Sequence, residues 1–289
     1  MKLLQQISAA QAFDPGRFLP FEVGEARAGW IRRDLAGHLR HWPDVFEVAK
    51  ERVCLNATLT NEPACTAALA DVTRALASGG TIKGWRDETY AVRIRPHDAP
   101  LFHIERAAMR FFGLTSVATH VNGYVRGVDK KMGSVPIFQV WIARRSATKS
   151  IDPGMLDTLV GGGVASGQDP WNALLRECGE EAGIERALAT QARAAGILQV
   201  CHEVSEGLHS EILHAHDLQV PADFRPRNVD GEVSEFLCLT PAGVADRIAN
   251  GEFTVEAGLV TLDFLVRQQL IAAPDPQVRA ALDRCRVGP

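Results

Sequence analysis

Three glutamates, Glu177, Glu180 and Glu181, stand at i, i+3 and i+4 in a stretch rich in helix signals, so their carboxylates project from one face. Acids crowded in this way repel one another unless a cation neutralises them. Hard carboxylate oxygens suit Mg2+ (or Mn2+), ions that also take phosphate oxygens as ligands. The chemistry this allows is reaction at a phosphoryl group beside a metal-binding helix face. Glutamate-rich faces are more often simply solvated. The balance shifts because Gly161-Gly162-Gly163 runs towards the same helix and brings backbone N–H and C=O groups beside the acids. Arg176 can pair with one carboxylate and hold it in place.

The helix that must carry these groups is well punctuated. Asp169 is a good N-cap, Pro170 suits the first helical position and Gly183 supplies the stop, so the spacing predicts a helix over Asp169 to Ala182. Trp171, Leu174, Leu175 and Cys178 are the candidates to pack its other side into a sheet. Strand-like alternation over Val117 to Val128 and Ile137 to Ala143 flanks a polar segment, Asp129 to Pro136, and predicts a hairpin. Gly154 to Gly163 reads as a glycine-punctuated loop or strand. Further strands are predicted at Gly196 to Val204, Glu211 to Leu218 and Glu232 to Leu239, and helices at Pro241 to Asn250 and Val255 to Leu270. Earlier in the chain, Asp44 to Val53 and Pro63 to Ala77 read as helices and Thr89 to Ile94 as a strand. The expected organisation is residues 1–115 as a smaller α+β domain of open role, then residues 116–289 as an α/β domain holding the acidic helix.

The stretch from Gly162 to Ile184 resembles the Nudix box, G-x5-E-x7-R-E-U-x-E-E-x-G-U with U aliphatic. Gly162 matches the first glycine, Arg176-Glu177 the R-E pair, Glu180-Glu181 the E-E pair and Gly183-Ile184 the end. Gln168 stands where the family has its first glutamate, and Cys178 takes the aliphatic position as a small hydrophobe. The resemblance implies a Nudix-type α/β/α sandwich with a mixed sheet. It also implies a hydrolase that cuts a diphosphate linkage by metal-activated water, with one carboxylate as base. Glu177, Glu180 and Glu181 would bind the cations, with the Gly162 carbonyl as a further ligand and Arg176 as their brace. Because the family's first glutamate mainly supports that arginine, Gln168 implies a weaker brace. Some members take the base from a later loop, where Glu232 is the first candidate and Glu206 the second.

The segment from about His120, through Arg144-Arg145-Ser146 and Pro153 to Asp157, to Leu270 further resembles the Nudix branch related to fungal thiamine pyrophosphokinase fusions. That branch implies thiamine diphosphate or its oxidised analogues as substrate. Arg144, Arg145 and Lys149 form a basic cluster suited to phosphate oxygens, though the same cluster also suits a solvated strand end. A sensor module that binds a phosphorylated metabolite without cutting it is the alternative, as is an isomerase on the same fold.

Bulk properties narrow the rest. A net charge of -4 across 289 residues lacks the basic balance of nucleic-acid binding. No run approaches a membrane span, and Met1 to Phe18 lacks the continuous apolar stretch of a signal peptide, so a cytoplasmic protein is expected. Six scattered cysteines, none in a C-x-x-C pair, read as reduced thiols. His202, His209, His214 and His216 invite a zinc hypothesis, with His214 and His216 on one strand face, but ordinary histidines account for them and no zinc is assigned. Residues 1–115 could cap the pocket, recognise the non-phosphate part of a small diphosphate substrate or form the contact of a homodimer.

Overall fold

The computed structural model describes residues 2–95, 98–129, 135–271 and 275–288. The central sheet is mixed. Among the described residues it contains β7 (Thr115–Asp129), β8 (Val135–Arg145), β9 (Leu156–Asp157), β10 (Val160–Gly163), β11 (Arg193–Val204), β12 (Gly207–Gln219) and β13 (Val233–Leu239). The order is β11-β12-β7-β8-β13, with β10 paired to β7 and β9 to β8. β7 and β8 form the expected antiparallel hairpin, with Gly123 opposite Trp141, and the middle of its connecting loop lies outside the described residues.

Both faces of this sheet are covered. On one lies α3 (Pro170–Ala182), whose Leu174, Leu175 and Cys178 pack with Val121, Leu159 and Leu218, followed by the short α4 (Arg186–Ala189) with Ala189 in the same core. The opposite face carries α5 (Pro241–Ala249), α6 (Val255–Arg267) and α7 (Pro276–Cys285), packed on Val140, Ile142, Leu198, Val200 and Leu213. These residues alternate with those facing α3, which is the period of a strand buried on both sides. The expected α/β/α sandwich is therefore present. Trp171 corrects one expectation: it stays exposed because it sits in the first turn of α3, beyond the sheet, with its ring 5.9 Å from His216.

The first half holds its own core. β1 (Phe18–Val23), β2 (Ala26–Arg32), β3 (Phe46–Val48) and β4 (Val53–Leu55) form a sheet in the order β2-β1-β4-β3, against which α2 (Glu62–Ser78) and the β5 (Thr89–Val92) and β6 (Phe102–Glu105) pair are packed. The helix expected over Asp44 to Val53 is instead the β3–β4 hairpin, with Phe46 opposite Leu55 and the amide of Ala49 donating to the Arg52 carbonyl across the turn. Apolar residues at helical spacing lost to packing here: Phe46 is buried beside the rings of Phe21 and Phe112, themselves in contact at 5.2 Å, and it does so from a strand paired to β4.

One short helix crosses between halves. α1 (Lys2–Ala9) lies against α5, α6 and α7, and Ile7 and nearby Ala10 are buried in the core beneath them. Replacing Ile7 by Ala should therefore lower stability by about 2–4 kcal/mol in the full chain, measured by denaturant unfolding. A loss below about 0.5 kcal/mol would mean that α1 is not part of that core.

Candidate active site

The N-cap carboxylate of Asp169 accepts from the amides of Trp171 (3.0 Å) and Asn172 (2.9 Å), and Gly183 ends α3 at φ 62°, so both predicted caps are formed. α3 is thereby fixed with Glu177 and Glu181 buried against β10. The Gly161 amide donates to Glu181 Oε2 at 2.9 Å. A side chain at Gly162 would place its Cβ 2.3 Å from the Glu177 carboxyl group, so the first glycine of the motif is demanded by that close approach. Burial and the neighbouring Glu177 push the Glu181 carboxyl up to about 8, despite the opposing Gly161 amide and Lys149. Burial also raises Glu177, against the pull of Arg176.

Arg176 spans the acids, donating to Glu180 Oε2 and to Glu177 Oε1, each at 2.7 Å. Its Nε is buried with no partner among the described residues, and no hydrogen bond there joins it to Gln168. That is the position where the expected brace is weak. Glu180 remains the most open of the three acids.

A cleft of about 270 Å³ opens beside this pair. Gly162, Glu177, Glu181, Arg145, Lys149 and Glu232 all line it, whereas Arg144, Arg176 and Glu180 do not. Lys149 lies 3.9 Å from Glu181 and pairs with Glu232, which Arg86 also approaches at 3.7 Å. Burial pushes the Lys149 ammonium down, with Glu181 opposing. Arg145 is committed to Asp157 at 2.9 Å and to the Ile151 carbonyl, while Arg144 turns to Glu235 and the Gly154 carbonyl. The second candidate base, Glu206, also lines the cleft.

Several cleft residues carry no local signal in sequence. Tyr90 from β5 projects over Gly163, whose Cβ would fall 1.9 Å from the phenol oxygen. Arg86, Arg106, Met109 and Arg110 complete the wall contributed by the first half of the chain. From β7, Ser116, Ala118 and His120 alternate along one face of the strand and also line the cleft. Asp157, inside a segment singled out only for its resemblance, is buried between Arg145 and His120. His214 and His216 do not line the cleft.

Residues 128–257 match the NUDIX domain model, and residues 1–116 match a domain of unknown function, DUF4743. Nudix hydrolase 24, chloroplastic, of Arabidopsis thaliana is 37% identical over 94% of this chain and 74% of its own length. Nudix hydrolase 20, chloroplastic, of the same plant is 36% identical over 89% of this chain and 69% of its own. A crystal structure from Deinococcus radiodurans is 25% identical, covering 64% of this chain and 100% of that one with a TM-score of 0.42. The class that the two plant relatives define is a hydrolase. The chain belongs to the Nudix hydrolase family. Among the described residues no helix is long and apolar enough to cross a membrane.

The buried acid pair makes a prediction about stability. A carboxyl whose pKa is near 8 when folded and near the ordinary 4.5 when unfolded binds more protons in the folded state between those values. Metal-free protein should lose stability as pH rises through that window. Thermal melts in chelator should show this decline in the parent and a flatter profile in Glu181→Gln, which at the upper end should be the more stable by about 1 kcal/mol or more. Parallel profiles for the two proteins would contradict this electrostatic reading.

Proposed function

We propose that this chain is a divalent-metal-dependent pyrophosphohydrolase that cleaves a diphosphate linkage of a small substrate to release a monophosphate. The observation that carries the reading is the burial of Glu177 and Glu181 side by side against the glycine strand at the edge of the cleft. Their donor set is all oxygen and carries excess negative charge, which fits magnesium or manganese. Glu177 and Glu181, which line the cleft, would hold the cations with the Gly162 carbonyl, and Glu180, bonded to Arg176 outside the cleft, would join them on turning inward. Bound there, such an ion neutralises phosphate charge and acidifies water.

The chain's own groups supply the rest. Arg86, Lys149 and Arg145 present positive charge to phosphate oxygens at the cleft wall. Water attacks one phosphorus, the anhydride P–O bond breaks and the proton passes to a carboxylate of the wall. Glu181 and Glu232 are the two groups to distinguish in that role. Tyr90, Arg106, Met109 and Arg110 would receive the non-phosphate part of the substrate, which assigns the first half of the chain to recognition. Thiamine diphosphate and its oxidised analogues are the first substrates to test. A cytoplasmic enzyme suits the six free cysteines, although both plant relatives bear chloroplastic names.

The test is monophosphate release from thiamine diphosphates, ADP-ribose, dinucleotides and nucleoside triphosphates, with magnesium or manganese and with chelator. Cleavage of one class only when metal is present is expected. Metal binding without turnover across the panel would instead favour the sensor module, a reading that the unpartnered Arg176 Nε supports. Glu181→Gln should lower kcat by roughly 10²–10⁴-fold while the protein stays folded. Turnover equal to the parent's would overturn the assignment of this helix. Glu232→Gln separates the bases: a comparable fall in kcat makes Glu232 the proton acceptor, whereas a change confined to KM makes it an anchor for Lys149 and Arg86.

A further inference from the structure

A second constellation reaches the cleft from other elements through His209 and Glu256, and the diphosphate chemistry leaves it unused. His202 on β11 and His209 on β12 are direct cross-strand partners, with rings 5.3 Å apart at 76°. Glu256, in the first turn of α6, reaches down to both: its Oε1 lies 2.9 Å from His209 Nε2 and 3.4 Å from His202 Nε2. The three donor atoms fall within 4.8 Å of one another. Ligands about 2.0–2.1 Å from a tetrahedral zinc ion stand roughly 3.3 Å apart, the scale seen here.

We propose that His202, His209 and Glu256 form a binding site for a zinc-class transition-metal ion, separate from the glutamates of α3 and open to the cleft.

Three observations support it. First, His209 Nε2 is buried and makes no well-aligned hydrogen bond, although carboxylate oxygens of Glu256 and Glu211 lie 2.9 and 3.6 Å from it. Second, the donor chemistry differs in kind from that of the α3 helix. Two imidazoles with one carboxylate favour zinc over magnesium, whereas an all-oxygen set favours the reverse. Third, a second acid stands within reach of the same imidazole. Glu211 adds a further carboxylate, its Oε2 3.6 Å from His209 Nε2 and its Oε1 accepting from the Ser116 hydroxyl at 2.8 Å. His209, Glu211 and Glu256 all line the cleft, so a fourth coordination position would face whatever occupies it. The ion would also clamp the first turn of α6 to the β11–β12 strand pair.

The site is tested on the full chain stripped of metal, then dialysed against micromolar zinc with millimolar magnesium present to occupy oxygen-only sites. One zinc per chain, measured by elemental analysis, is expected in the parent and in the Glu177→Gln/Glu181→Gln double variant. His209→Ala and His202→Ala should each weaken zinc binding by at least 100-fold. Because His209 is deeply buried, its variant could fail to fold, and the less buried His202→Ala, checked by circular dichroism, then decides the matter. Cobalt in place of zinc should give visible absorption typical of a four-coordinate site in the double variant and none in His202→Ala. A folded parent that retains no zinc would overturn the proposal. So would zinc that persists in His202→Ala, or that is lost from the double variant instead.

Discussion

Two carboxylates held out of water with too little positive charge nearby are the constraint around which this molecule is organised. Glu181 has one backbone amide and a lysine ammonium 3.9 Å away, and Glu177 has a single arm of Arg176. Burial of that kind costs several kcal/mol unless it is compensated. Each surrounding feature serves to maintain it. The apolar side of α3 anchors the helix to the sheet, the caps at Asp169 and Gly183 fix its length, and glycine at position 162 makes room for the Glu177 carboxyl group. The cation proposed for this site would supply that compensation.

The first half of the chain meets this pair at close range. Tyr90 lies over Gly163, and Ser166 hydrogen-bonds His103 at 2.7 Å, so β5 and β6 are tied directly to the segment leading into α3. Arg86 reaches Glu232 from the same side. The cleft is therefore a property of the whole chain: one wall carries the acids and the other the aromatic, cationic and thioether groups that could discriminate between substrates.

What could be read from sequence was local, and what could not was long-range. The acidic helix was legible because cap, proline, glutamate spacing and terminal glycine all fall within fifteen or so residues and act through the backbone of one turn or the next. The β7–β8 hairpin was legible by alternation. Asp44 to Val53 misled because a ten-residue window cannot distinguish helical spacing from a hairpin whose decisive contact, Phe46 on Phe112, comes from far along the chain. Arg144 and Arg145 are sequence neighbours, yet as adjacent strand residues they point oppositely, one to Glu235 and one to Asp157. His202, His209 and Glu256 share no motif at all; only the strand register and the docking of α6 bring them together.

The position of α1 has a consequence for biosynthesis. Ile7 leaves the ribosome more than two hundred residues before α5, α6 and α7, the helices on which it packs. The sheet of the first half can close on its own residues meanwhile, but the segment ahead of it must stay undocked, its apolar side exposed, until the last helices arrive. Synthesis thus makes α1 early and docks it late. A chain cut short before α6 would carry an unsheltered amphipathic segment of the kind that chaperones and proteases engage.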